Sequence, residues 1–138
     1  MNHLEHPDSI DEIIKEVSAK DIIKKHFDIM RHLTHIDTIA EAIADHRLCL
    51  FYIKAPDCGV CNVMLDKVGR MAENHPRLEA FYTDITEEPL IAGRFLVYSG
   101  PTILLLLDGK EVYRASGFID IDELERKINQ LEEVCNAC

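Results

Sequence analysis

The chain has 138 residues, enough for one domain and too few for two ordinary ones. It is 47% hydrophobic and 29% charged, with a net charge of −10, so it reads as a globular protein that will not bind nucleic acid or an anionic membrane surface non-specifically. No apolar run approaches the roughly 20 residues of a membrane span, and the polar start, Met1 to Pro7, lacks the apolar stretch of a secretory signal, so a cytoplasmic location is expected.

In chain order, Ser9-Ile10-Asp11-Glu12 has the Ser-x-x-Glu pattern of a helix start. Ile10, Ile13, Ile14 and Val17 then give one apolar face, which predicts an amphipathic helix over 9–18. Ser18 to Asp21 offers a second cap, and Ile22, Ile23, Phe27 and Met30 continue at helical spacing. Residues 27–33 are ambiguous, because Phe27, Ile29 and Leu33 also fit a period of two. A helix is expected over 34–45 with Ile36, Ile39, Ala40 and Ile43 inward. Leu48 to Ile53 is apolar throughout and reads as a central strand. A helix over 62–74 ends at His75-Pro76, a strand covers 78–83, and a short helix covers 87–95. Ile103 to Leu107 reads as a strand buried on both faces. Asp108-Gly109 is a hairpin turn, and Glu111 to Ala115 returns antiparallel. The last helix starts at Asp120 or Asp122, with Ile121, Leu124, Ile128 and Leu131 inward. The order predicts an α/β sandwich with a mixed sheet.

Cys58-Gly59-Val60-Cys61 falls where the central strand hands over to the next helix, since Val63, Met64, Leu65, Val68 and Met71 follow at helical spacing. Unpaired N–H groups and the positive end of the helix dipole favour a thiolate there. A second Cys one turn on is near enough to close a disulfide on the first. In a cytoplasmic chain such a pair points to catalysis or metal binding, and the odd total of five Cys excludes an all-paired framework.

These features together resemble the thioredoxin family over roughly residues 30–134. The likeness is carried by Leu48 to Ile53, Ala55-Pro56-Asp57-Cys58-Gly59-Val60-Cys61, Phe81-Tyr82-Thr83-Asp84, Gly100-Pro101-Thr102 with Ile103 to Leu107, Asp108-Gly109-Lys110, and Ser116-Gly117-Phe118. The resemblance implies a thioredoxin-like domain over 30–138, a mixed sheet flanked by helices, with residues 1–29 an added N-terminal helical extension. It implies a thiol-disulfide oxidoreductase in which Cys58 attacks a disulfide and Cys61 resolves the mixed disulfide. Pro101 would be a cis-proline against the pair. A substrate strand would lie along Ala55-Pro56, Gly100-Pro101-Thr102 and Ala115-Ser116-Gly117. The implied partners are disulfide-containing proteins, or a small thiol, and a thioredoxin-reductase-like recycling enzyme. No organic cofactor or metal is implied beyond the redox-active pair itself, nor any nucleic acid or membrane, and the chain is expected to be a monomer or weak dimer.

The chain also departs from the family. It has no Trp, and Asp57 stands where the family has Trp before the first Cys. A carboxylate there opposes thiolate formation. Val60 replaces the Pro before the second Cys. Tyr52 stands six residues before Cys58, where the family often has a buried proton-transferring Asp, and the Lys partnering that Asp is replaced by Ala80 or a neighbour.

Two other readings stay open. A thioredoxin fold could serve as a non-catalytic adaptor through the N-terminal helix. Alternatively, zinc could be held by both Cys-x-x-Cys pairs, since Cys135-Asn136-Ala137-Cys138 is a second one. Ile121, Leu124, Ile128, Leu131, Cys135 and Cys138 are spaced 3, 4, 3, 4, 3, so both Cys extend the apolar stripe of the last helix. Cys135 and Cys138 are therefore a helix end with small apolar positions, an auxiliary redox pair, or half of that zinc site. Cys49 is expected in the core, and the seven His are expected at the solvated surface.

Overall fold

A computed structural model describes residues 30–136. Its elements are β1 (Met30–His32), α1 (Ile36–Asp45), β2 (Leu48–Lys54), α2 (Gly59–Ala72), β3 (Glu79–Asp84), α3 (Leu90–Phe95), β4 (Thr102–Leu107), β5 (Lys110–Ser116) and α4 (Ile121–Asn136). The expected N-terminal helix and its continuation to residue 29 lie outside the described residues. The strands form one sheet in the order β1-β3-β2-β4-β5. β1, β3 and β2 run parallel, while β4 and β5 run antiparallel to their neighbours.

β2 is central, which explains why it is apolar at every position. Leu48, Leu50 and Tyr52 face one layer, where Met64, Leu65 and Val68 of α2 and Leu124 and Ile128 of α4 cover them. Cys49, Phe51 and Ile53 face the other, with Ile39 and Ala42 of α1 and Ile91 of α3. The hairpin turn places Asp108 at φ 50° and Gly109 at φ 81°, the two positive values that an Asp-Gly turn supplies. Arg47 closes over it through Nε and Nη2, at 2.9 and 3.2 Å from the two Asp108 oxygens.

Several boundaries differ from the sequence expectation for local reasons. The ambiguous stretch ends as an edge strand, because Met30 to His32 pair with Ala80 to Tyr82. α1 starts at Ile36, not residue 34: His35 is extended, and the Ile36 N–H is met by Glu88 Oε1 at 2.7 Å, a partner far away in sequence. Ala42, rather than Ala40, joins Ile39 in the core. α2 starts three residues early, at Gly59, because Cys58 caps it. Val63, read as part of the apolar face, is 56% exposed. α3 starts at Leu90 rather than residue 87, since Asp84 to Glu88 are spent on a turn in which Glu87 N–H bonds Asp84 O. Asp120 is the cap of α4, its Oδ1 accepting from Glu123 N–H at 3.1 Å.

His75 is not at the surface. It is 5% exposed, with Nδ1 2.9 Å from Glu132 Oε1 and Nε2 2.8 Å from Glu125 Oε2, both on α4. Carboxylates on both ring nitrogens require a proton on each, so the ring is an imidazolium clasp between the end of α2 and α4. Burial alone would lower its pKa, but the hydrogen bonds and charges of the two glutamates outweigh it and raise the pKa above 6.5. A raised folded pKa means that this stabilisation is complete below the unfolded value and is lost as pH rises through the folded one. The urea midpoint should therefore fall as pH is raised upward from 6. In His75→Gln, whose neutral amide satisfies the two carboxylates poorly, stability at pH 6 should drop by about 1–2 kcal/mol and this alkaline slope should flatten. An unchanged slope in the variant would show that His75 does not titrate as described.

Candidate active site

The sheet topology puts the ends of β2 and β4 side by side, with Ile53 opposite Thr102. The loop 55–57 leaves β2, and Asp57 turns it with φ 54°, a left-handed conformation that Asp and Asn tolerate better than other side chains. Cys58 then caps α2, its Sγ accepting from the Cys61 N–H at 3.1 Å. Cys58 and Cys61 form a disulfide with Cα atoms 5.2 Å apart. Their exposure differs: Cys61 is 0% exposed, while Cys58 is half-buried at the lip. Val60, between them, is 45% exposed.

Beneath the pair, the Tyr52 hydroxyl donates to the Cys61 carbonyl oxygen at 2.6 Å. Burial pushes the Tyr52 pKa well above its ordinary value, so it stays a neutral donor. Its direct neighbour on β3 is Tyr82, two residues beyond Ala80, and the Tyr82 ring is stacked on His32 with centroids 4.7 Å apart. The backbone beneath the pair is thus held by a neutral hydrogen bond from Tyr52.

Beside the loop leaving β2 lie the start of β4 and the end of β5. The Gly100–Pro101 peptide bond is cis. Gly100 packs so closely on the 54–55 backbone that a Cβ there would stand 2.6 Å from Ala55 N. Pro101 is buried, and its carbonyl accepts from Gly117 N–H at 2.9 Å, with Gly117 at φ 75°. Thr102 is buried, its hydroxyl donating to Ser99 O at 2.8 Å and meeting Ser116 Oγ at 3.2 Å. Pro56 is exposed at the rim. The structure therefore gathers Pro56, Cys58, Cys61, Gly100, Pro101, Thr102 and Gly117 at one end of the sheet. Phe118, which follows Gly117, is 91% exposed there and had no role assigned from the sequence.

Cys135 is not part of this constellation. It packs at the edge of the α2/α4 layer, one turn beyond the Glu132 that binds His75 at the far end of α2. The 14 residues of α2 separate that end from Cys58 by about 20 Å. Within one molecule, neither exchange with Cys58 nor a shared zinc site is possible without moving α4. Cys138 lies outside the described residues. Cys49 is in the core as expected; its thiol points at the Ala42 and His46 carbonyls at 3.6 Å each, and burial, then the Glu79 charge, push its pKa up to about 12. Among the described residues no group of His, Cys, Asp and Glu is arranged to hold a metal, and no helix is long and apolar enough to cross a membrane.

The residues that sequence reasoning missed lie on the β3 flank. Lys54 ends β2 in register with Asp84. Its Nζ donates to Asn62 Oδ1 at 3.1 Å. Burial opposes ionisation of Asp84, but hydrogen bonds from Thr86 and the Lys54 charge hold its carboxyl below the usual range. Nothing in the local sequence links positions 54, 62 and 84; strand pairing joins Lys54 to Asp84, and a hydrogen bond joins it to Asn62 on α2.

Asp57 beside Cys58 sets up a direct test of the local field. Asp57→Asn keeps the left-handed turn and removes one negative charge, whereas Trp would pay strain at φ 54°. The thiolate fraction of Cys58 in the reduced protein should rise roughly twofold at neutral pH, as read by ultraviolet thiolate absorbance. No change, or a fall, would mean that solvent screens Asp57 from the thiol.

Known proteins agree with this geometry. The family described as Thioredoxin matches residues 31–130. The chain is 35% identical over 94 residues to a thioredoxin of Chlamydia muridarum, covering 68% of this chain and 91% of that one. It is 28% identical over 102 residues to the thioredoxin-like protein YdfQ of Bacillus subtilis, covering 74% and 91%. Among solved structures, thioredoxin of Fasciola hepatica superimposes with a TM-score of 0.67 at 29% identity, covering 73% of this chain and 98% of that one. With its mixed five-stranded sheet and a Cys58–Cys61 disulfide at the head of α2, the chain belongs to the thioredoxin family.

Proposed function

We propose that the protein is a thiol-disulfide oxidoreductase acting on disulfides of other proteins. The observation that carries this reading is the unequal burial of two cysteines joined in one disulfide: Cys58 at the lip and Cys61 fully enclosed. Cys58 sits at the N-terminus of α2, where the helix dipole and the Cys61 N–H favour a thiolate. It attacks the substrate disulfide, and Cys61, one turn on, displaces the substrate from the mixed disulfide. An extended substrate backbone fits beside Pro101, where Gly100 and Gly117 offer no side chain. Exposed Val60 and Phe118 supply apolar surface for a protein partner. The electrons reside in the Cys58–Cys61 pair, without organic cofactor or metal. A thioredoxin-reductase-like enzyme in a reducing, cytoplasmic compartment resets the pair.

The test is a redox titration. The protein is equilibrated in graded dithiol/disulfide buffers and its free thiols are alkylated and located by peptide mass spectrometry. Cys58 and Cys61 should change together, as a two-electron couple with a tenfold change in ratio per about 30 mV. A pair that never oxidises reversibly would overturn the reading and leave a non-catalytic adaptor built on the same fold.

A further inference from the structure

Cys58 has two unlike flanks. β2 has β4 on one side and β3 on the other. The β4 side carries the cis-proline wall. On the β3 side a pocket of about 350 Å³ opens beside Cys58, lined by the Ala55–Pro56 rim together with Lys54, Asp57, Asn62 and Asp84. We propose that this pocket is a subsite for an α-amino-acid group. Small disulfides whose halves each carry an ammonium and a carboxylate on one carbon, cystine being the simplest, are then substrates of the Cys58–Cys61 pair. The proposal rests on the oxidoreductase reading and adds a substrate class to it.

The charges are the main argument. The pocket presents one ammonium and two carboxylates, so a ligand bearing one charge of each sign pairs with both. An anionic ligand without an ammonium meets Asp57 and Asp84 unrelieved, a cationic one without a carboxylate meets Lys54 unrelieved, and a neutral one uses neither Lys54 nor the carboxylates. The groups are also free to bind. Lys54 Nζ has one hydrogen bond, to Asn62 Oδ1 at 3.1 Å, and two further N–H groups. The Asn62 amide N–H groups have no partner among the described residues, nor has the Asp57 carboxylate. Thr86 takes only Oδ1 of Asp84, through its N–H at 2.9 Å and its hydroxyl at 2.7 Å, which leaves Oδ2.

Size and reach agree. The volume is at the small end for ligand pockets, suited to one amino acid rather than to a folded loop. In cystine a single methylene separates each sulfur from the carbon that carries both charges. Those charges must therefore sit beside the sulfur under attack, where Lys54 and Asp84 are. The reaction balances within the pair. Cys58 thiolate bonds to one cystine sulfur, the cystine S–S bond breaks, and one cysteine leaves as a thiolate. Cys61 thiolate then bonds to Cys58 Sγ and the second cysteine leaves. Two electrons pass from the dithiol to cystine, and the two thiol protons end on the two cysteines.

The test is single-turnover oxidation of the pre-reduced protein, freed of reductant, by cystine and by bis(2-hydroxyethyl) disulfide, with acid quench, alkylation and mass spectrometry. The two reagents differ in leaving-group acidity, so the readout is how their rate ratio changes on mutation. Lys54→Met should cut the cystine-to-hydroxyethyl ratio about tenfold; any effect on the Cys58 thiolate acts on both rates and cancels. A fall of less than threefold overturns the proposal. In Asp84→Asn the rate ratio of cystine to N,N′-diacetylcystine, which lacks the ammonium, should also fall, and an unchanged ratio would overturn the proposal. Failure of every disulfide to oxidise the pair would instead sink the oxidoreductase reading.

Discussion

A Cys61→Ser protein mixed with a disulfide substrate should accumulate a stable mixed disulfide on Cys58, while Cys58→Ser should accumulate none on Cys61. Turnover should fall by on the order of 10³ or more in each case, because the two thiols act as one unit. The asymmetry follows from burial. Cys61 is fully enclosed on the inner face of α2, its backbone held from below by Tyr52 and its N–H turned to Cys58 Sγ. No external sulfur can approach it in line. Cys58 is reachable and lies at the positive end of a 14-residue helix. Non-reducing mass spectrometry of the trapped species decides the matter. An adduct found on Cys61 would reverse the assignment of attacking and resolving thiols.

Tyr52 beneath the pair, in place of a carboxylate, shapes how resolution must run. Tyr52 stays protonated and donates its hydrogen bond to a carbonyl, so it cannot take the Cys61 proton at neutral pH. The proton must leave towards solvent or the departing substrate thiolate. The carboxylates that are near, Asp57 and Asp84, lie instead on the open β3 flank beside Lys54. The chain thus carries its charges at the mouth of the site rather than under it.

Much of this was legible in the sequence. The apolar run at 48–53 marked the central strand because burial on both faces leaves no polar position. Cys-x-x-Cys at its end, and Gly-Pro-Thr before the next apolar run, placed the two halves of the site. What was not legible depends on pairing across the fold. The start of α1 rests on Glu88, and the pocket beside Cys58 on the register of Lys54 with Asp84. His75 looked like a helix stop followed by proline; its burial depends on α4 presenting Glu125 and Glu132 on one face, two turns apart. Cys135 followed the apolar stripe as expected, but only the packing of α4 on α2 places it at the pole away from Cys58.

Gly100→Ala should damage both stability and function, although it adds a single methyl group. The new Cβ would stand 2.6 Å from Ala55 N, 3.0 Å from the Lys54 carbonyl carbon and 3.1 Å from Ala55 Cβ. Two of these are backbone atoms, which cannot swing aside as a flexible side chain would. Either β4 or the loop leaving β2 must shift, at a cost of about 3 kcal/mol, lowering the melting temperature by roughly 10 °C. The shift falls on both segments flanking the pair, because Gly100 precedes Pro101 and Ala55 is three residues from Cys58. Disulfide exchange should therefore drop more than the loss of folded protein explains, when measured well below the melting transition. Gly117→Ala is the control: its Cβ would meet nothing within 4 Å, so its cost is only backbone strain at φ 75°, about 1 kcal/mol. If Gly100→Ala were no more destabilising than Gly117→Ala, the close approach of β4 to the 54–55 backbone would not exist in solution, and the wall facing Cys58 would have to be redrawn.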